Sequence, residues 1–197
     1  MGRLVPSKGL LDILRTLHLL EGRGFTDWRL RVVHNPLCTA SSYESEVESF
    51  IRENGMGDRI VFRGRVSSRQ EMAALYSSSD ITVLPSRHES YCLPLVESLW
   101  CGTPVIANEV GAVAEVADGL ANLVGPGDIQ ALAVKMEQLT SIRPRVCCDR
   151  SGVVESEEFL ASCRSLLADR NVETFARRFF EGLSRIDLHQ RVASKRL

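Results

Sequence analysis

No apolar run in this 197-residue chain approaches the roughly 20 residues needed to cross a bilayer. The opening Met1-Gly2-Arg3-Leu4-Val5-Pro6 lacks the apolar core of a secretory signal. No transmembrane segment is therefore expected. An excess of charge is missing too: 24 Lys and Arg stand against 25 Asp and Glu, a net charge of -1. That balance argues against a general affinity for nucleic acid or for anionic lipid. The one dense basic stretch, Arg143-Pro144-Arg145, is broken by proline and reads as solvated surface. Six cysteines are present (Cys38, Cys92, Cys101, Cys147, Cys148 and Cys163), yet none has C-x-x-C spacing. His18, His34, His88 and His189 show no ligand spacing either. No metal and no cofactor is expected, and the thiols read as inert in a reduced, cytoplasmic protein. Work at a membrane periphery stays open. Aromatic residues are scarce at 6%, but 44% hydrophobic content suffices for one domain of normal core size, with or without a tail.

The chain alternates helical and strand patterns, the mark of a layered α/β domain. Leu10, Ile13, Leu14, Leu17 and Leu20 recur at helical spacing, and Leu30-Arg31-Val32-Val33 follows as a strand. Tyr43, Val47, Phe50 and Ile51 mark a second helix, which Asn54-Gly55 ends. Ile60-Val61-Phe62 is a short strand. Ser68 to Glu71 is a capping box opening a helix that buries Met72, Leu75 and Tyr76. Ile81-Thr82-Val83-Leu84 reads as a strand that Pro85 terminates. Pro94 suits the first turn of a helix carrying Leu95, Val96, Leu99 and Trp100. Val105-Ile106-Ala107 and Leu123-Val124 are the last strands, and Asp128 caps a helix burying Ile129, Leu132, Met136 and Leu139. Residues 140–152 read as a polar linker before two further helices, one carrying Phe159 to Leu167 and one carrying Val172 to Ile186. The pattern predicts a Rossmann-like parallel sheet with helices on both faces, because right-handed crossovers place them there. Ligands of such sheets bind at the carboxyl ends of the strands, here the loops after Val33, Phe62, Leu84 and Ala107.

Two carboxylates stand out in the third of these loops. Glu89 lies in the loop, and Glu97 lies eight residues on, near the first turn of the next helix. A helix start offers free N–H groups and a positive dipole end to a diphosphate, and flanking carboxylates accept from sugar hydroxyls. By spacing alone the pair fits equally a loop carboxylate and a solvated helix-face carboxylate.

Glu89 and Glu97 match the E-x7-E signature of family four retaining glycosyltransferases. Further segments resemble that family in order: Gly2-Arg3-Leu4 with Lys8-Gly9, Ile60-Val61-Phe62-Arg63-Gly64-Arg65-Val66, Cys101-Gly102-Thr103-Pro104-Val105-Ile106-Ala107, and Gly125-Pro126-Gly127-Asp128. The resemblance runs from about Gly2 to Leu139. It implies one half of a GT-B fold, the C-terminal, nucleotide-sugar-binding domain. It implies a donor diphosphate held by Arg3 and Lys8, whose charges stabilise the leaving group. Glu97 would accept from the ribose hydroxyls. Glu89, the catalytic candidate, would bind a hydroxyl of the transferred sugar. Backbone N–H groups around Tyr91, Cys92 and Leu93 would meet sugar or phosphate, and Gly64, Arg65 and Val66 would border the base. His88, beside Glu89, is a secondary candidate for contact with donor or acceptor. The resemblance further implies retention by same-face attack, with no protein nucleophile and no metal.

The chain departs from that pattern in places. Cys92 stands where the family usually has glycine, so a side chain is expected to hinder approach of the donor. Gly111-Ala112 replaces paired glycines, and the segment His34-Asn35-Pro36-Leu37 lacks the usual ones. The strand that should precede Gly2-Arg3 is nearly absent, which should expose backbone and apolar surface. The expected organisation is a nucleotide-sugar-binding domain over residues 1–140, closing helices over 141–187 and a frayed tail over 188–197. The closing helix leaves Phe175, Phe179 and Phe180 without their usual partner domain. Three readings follow: the donor half of a hexosyltransferase-like enzyme whose acceptor domain is a partner, one subunit of a split enzyme, or a non-catalytic nucleotide-sugar-binding module.

Overall fold

The structure is a computed structural model and describes residues 2–39, 41–141, 146–149 and 152–155, with single positions at 157, 161, 163 and 165. Its elements are β1 (Gly2–Leu4), α1 (Leu10–Glu21), β2 (Leu30–Thr39), α2 (Ser41–Glu53), β3 (Ile60–Arg63), α3 (Arg69–Ser77), β4 (Thr82–Leu84) and α4 (Leu93–Trp100). These are followed by β5 (Val105–Asn108), α5 (Val113–Ala117), β6 (Asn122–Val124), α6 (Ile129–Ser141), β7 (Val146–Asp149) and β8 (Gly152–Glu155). A single 3-10 turn, Pro6–Lys8, joins β1 to α1.

Two parallel three-stranded sheets form, β1-β2-β3 and β4-β5-β6. β1 opens the first sheet and β4 the second. The carboxyl ends of these two strands meet. Arg87 N–H donates to the Ser7 carbonyl at 2.8 Å. Gly9 sits so close to Pro85 that an added Cβ would fall 2.3 Å from the Pro85 carbonyl oxygen. Gly9 also has φ +69°, a conformation that favours glycine.

Strand alternation explains the apolar runs read from the sequence. In β5, Ile106 faces one core with Leu14, Leu20, Val47, Leu132 and Met136. Its neighbours Val105 and Ala107 face a second core with Leu95, Leu99, Val113 and Val116. The strand is buried on both faces, so it carries no polar alternation. Helix α1 packs on α6 over the first face, and α4 with α5 covers the second.

The helix boundaries follow their local chemistry. Ser68 Oγ accepts from Glu71 N–H at 3.2 Å, and Asp128 Oδ1 accepts from Ala131 N–H at 2.9 Å, as side-chain caps do. Gly55, after α2, has φ +61°. Helix α4 starts differently. Its N-cap, Cys92, is left-handed at φ 59° and ψ 61°, and no side chain caps the helix.

Two expectations need correction. Within the polar linker expected over residues 140–152, Val146–Asp149 forms β7, which pairs antiparallel with β8 at Gly152–Glu155. The apolar runs Val146-Cys147-Cys148 and Val153-Val154 are too short to stand out among polar flanks. The loop expected after Val33 is instead a continuation of β2 to Thr39, because β1 pairs alongside it. The register there jumps from Gly2↔His34 to Leu4↔Thr39, an irregularity that accommodates Pro36. Residues Gly2–Leu4 themselves form a three-residue strand, with Leu4 buried in the first core. Helix α5 was not anticipated; it is one short turn whose buried Val113, Val116 and Ala117 give too few repeats for a helical period. The helix expected over residues 172–186, its phenylalanines and the tail lie outside the described residues. Cys163, from the preceding expected helix, is buried against the second core.

Two substitutions test this geometry by urea unfolding. Gly9→Ala loses at least about 1–2 kcal/mol from the left-handed backbone alone, with the Pro85 clash added. At position 92 the order of stability is Gly above Val by about 2 kcal/mol, because a β-branched side chain resists positive φ. A Cys92→Val variant as stable as Cys92→Gly means that the left-handed N-cap is wrong.

Candidate functional site

The site lies where the loops after β1, β4 and β5 converge. Lys8 ends the 3-10 turn after β1, and its Nζ contacts Glu89 Oε1 at 2.5 Å. Both side chains are mostly buried, at 29% and 14% exposure, so the pair is partly desolvated. The Glu89 loop is held by several anchors. Arg87 Nη2 donates to the buried Asp12 at 3.0 Å, and Asn108 Nδ2 donates to the Ser86 carbonyl at 3.2 Å. Gly111, at φ +54°, lies against the Glu89 backbone, where a Cβ would stand 1.9 Å from the carbonyl oxygen. Gly111 therefore supports the loop carrying the catalytic candidate, and the loss of the second glycine at Ala112 leaves that contact intact.

Glu97 lies one turn into α4, on the same helix whose start Glu89 precedes. It is half-buried and accepts from Tyr76 Oη at 2.9 Å through Oε2. Burial first, and then the negative Glu97, push the Tyr76 phenol far above its ordinary pKa, so it stays a hydrogen-bond donor. The two helix starts at this edge differ in openness. Leu11 N–H of α1 already donates to Tyr43 Oη at 3.0 Å, whereas no side chain caps α4. The positive end of α4 is thus the one available to an anion.

Cys92 does not obstruct this helix start as expected. Its side chain is buried in the second core with Leu95 and Leu99. Burial, then the Glu89 charge, raises its thiol pKa. The residue departs from glycine at the cost of a strained backbone, not of a blocked site. Tyr91 is partly buried against the same core, and Leu93 is exposed.

The structure brings Lys8 against Glu89, in the loop that leads through Cys92 into α4, and Glu97 lies on that helix. Arg3 is exposed on β1, and Gly64, Arg65 and Val66 follow the carboxyl end of β3, with Gly64 and Arg65 exposed. No hydrogen bond or ion pair found among the described residues joins these to Glu89 or Glu97. His88 is exposed beside Glu89. Sequence reasoning missed Asp12, Arg87 and the polar role of Tyr76, which the helical period had assigned to the core. Only the polar end of a buried tyrosine signalled it, since such groups find a partner. Among the described residues no group of three or more His, Cys, Asp or Glu is placed to hold a metal, and no helix is long and apolar enough to cross a membrane.

Residues 1–147 match the family described as "Glycosyl transferases group 1". The chain is similar to the MMP alpha-(1->4)-mannosyltransferase of Mycolicibacterium hassiacum, 35% identical over 138 residues, covering 68% of this chain and 32% of that protein. It spans about a third of the length of the curated relatives it matches. Among solved structures it is similar to HepE from Anabaena in complex with UDP-glucose, with a TM-score of 0.74 at 21% identity over 94% of this chain and 48% of that one. It is also similar to the C-terminal domain of LpcC, a glycosyl transferase group 1 family protein from Francisella tularensis. There the TM-score is 0.67 at 23% identity, over 85% of this chain and 82% of that one. The fold is the Rossmann-like half of a GT-B enzyme, and the chain belongs to the group 1 glycosyl transferases.

Proposed function

We propose that this chain is the donor-binding half of a retaining glycosyltransferase that moves a sugar from a nucleotide diphosphate sugar to an acceptor. The observation that carries the reading is the Lys8–Glu89 contact at the open start of α4, with Glu97 one turn further on. An ammonium has three donors, so Lys8 can hold Glu89 and a phosphate oxygen together. With Arg3 and the α4 dipole it stabilises charge as the bond to the diphosphate breaks. Glu89 accepts from a hydroxyl of the transferred sugar and helps to place the anomeric carbon. Backbone N–H groups around Tyr91, Cys92 and Leu93 meet the sugar or phosphates. Glu97 accepts from the ribose, and residues 64–66 border the base. The acceptor attacks from the face the diphosphate leaves, which retains the anomeric configuration.

The HepE structure named for its complex with UDP-glucose supports a nucleotide sugar as ligand. This chain covers 48% of HepE, which supports an acceptor-binding partner domain for transfer. The reaction proceeds in the cytoplasm, with membrane-peripheral acceptors allowed.

Titration calorimetry against UDP, GDP and ADP tests the reading on this chain directly. One of them binds, and Glu97→Ala and Lys8→Ala each weaken it by about 1–3 kcal/mol, as for a lost charge-assisted hydrogen bond. Unchanged affinity in both variants removes the site from this edge of the sheet.

A further inference from the structure

Tyr76 stands in the last turn of α3 and is fixed at both ends. Its backbone carbonyl accepts from Thr103 Oγ1 at 2.8 Å, and its hydroxyl donates to Glu97 Oε2 at 2.9 Å. The ring between is buried, at 7% exposure. The helix carrying Glu97 is tied down at the next residue. Ser98 Oγ donates to the Thr103 carbonyl at 3.1 Å and accepts from Thr82 Oγ1 at 2.8 Å. Tyr76 and Glu97 therefore meet from two helices, and both are referenced to Thr103, the residue that leads into β5. Among the described residues no other group hydrogen-bonds the Glu97 carboxylate. A carboxylate has two oxygens and about four acceptor sites, so Tyr76 occupies one of them and leaves Oε1 open.

A free glutamate side chain samples several rotamers, and ordering it opposes binding. A buried phenol held neutral by its surroundings removes that freedom before any ligand arrives.

We infer that Tyr76 is a positioning residue for donor recognition: it holds Glu97 Oε2 so that Oε1 faces the ribose hydroxyls of a nucleoside diphosphate. This rests on the nucleotide-sugar reading above. It makes α3 part of the donor site, although α3 itself offers the ligand no side chain in this role. It also predicts a specific defect. Loss of the phenol hydroxyl weakens recognition of the ribose and spares recognition of the diphosphate.

Calorimetry with the full chain separates these. The probes are whichever of UDP and GDP binds more tightly, and its 2′,3′-dideoxy form. The wild-type chain prefers the ribonucleotide by about tenfold, the worth of one hydrogen bond to a charged group. Tyr76→Phe keeps the ring packing and lowers ribonucleotide affinity about three- to tenfold while leaving dideoxy affinity unchanged, because only the pre-set hydrogen bond is lost. In a Glu97→Ala background the same change has no effect on the ratio, since nothing remains to position. Thermal unfolding of each variant shows whether it folds, and the Glu97→Ala arm supplies a second reading of the coupling. Equal weakening of both nucleotides by Tyr76→Phe, or an unchanged ratio, overturns the inference alone. Failure of the wild-type chain to bind any nucleoside diphosphate overturns the parent reading and this inference with it.

Discussion

The contact between Lys8 and Glu89 joins two segments that are 81 residues apart, and the rest of the site is arranged around it. One partner comes from the turn after β1 and the other from the loop after β4, so the contact joins loops of the two sheets. Such a pair is costly to bring together, because each charge loses water as it approaches the other. The surrounding backbone makes the approach possible. Gly9 lets the first loop touch Pro85, and Gly111 lets the third loop lie on the Glu89 carbonyl. Arg87, bonded to Ser7 and to the buried Asp12, ties the same two loops together a second time. Neither glycine contacts a ligand in the proposal, yet each sets how near the charged groups can stand.

The layered core explains why chemistry collects at this edge. β5 is buried on both faces, and Ile106 and Val105 serve different cores. Both faces of this strand are thus used by packing, and its carboxyl end is left to carry polar function. The helix starts at that edge have then been distinguished by local contacts. Tyr43 satisfies a donor of α1, while α4 begins at a left-handed cysteine with no side-chain cap. Strain at Cys92 accordingly sits beside a helix start that no side chain caps, a combination found where backbone is shaped for a ligand.

Membership of the group 1 glycosyl transferases accounts for the motif residues, and the geometry adds how they are held. Glu89 is restrained by an ion pair and by a glycine at its backbone; Glu97 is restrained by a tyrosine from another helix. The two carboxylates stand before and within one helix but are positioned by different elements. That separation suits the proposed division of labour, in which one acidic group addresses the sugar and the other the ribose.

Much of this was legible in the chain itself. Apolar periodicity located α1, α2, α3, α4 and α6, and side-chain caps at Ser68 and Asp128 placed two helix starts, because those signals act within one turn of backbone. The E-x7-E spacing and the short runs around it were enough to single out Glu89, Glu97 and Lys8. Other features were out of reach of any local signal. The extension of β2 past Val33 depends on β1 lying beside it, and the β7–β8 hairpin depends on pairing between two short runs. Cys92 read as an obstruction because the sequence shows that a side chain exists, not which way it points; the second core decides that it points inward. Tyr76 read as core because burial and function share one periodicity, and its hydroxyl acquires meaning only when α4 brings Glu97 within 2.9 Å. Residue chemistry and spacing along the chain thus determined which groups are available, while tertiary packing decided which of them meet, since contacts between distant segments leave no period in the sequence.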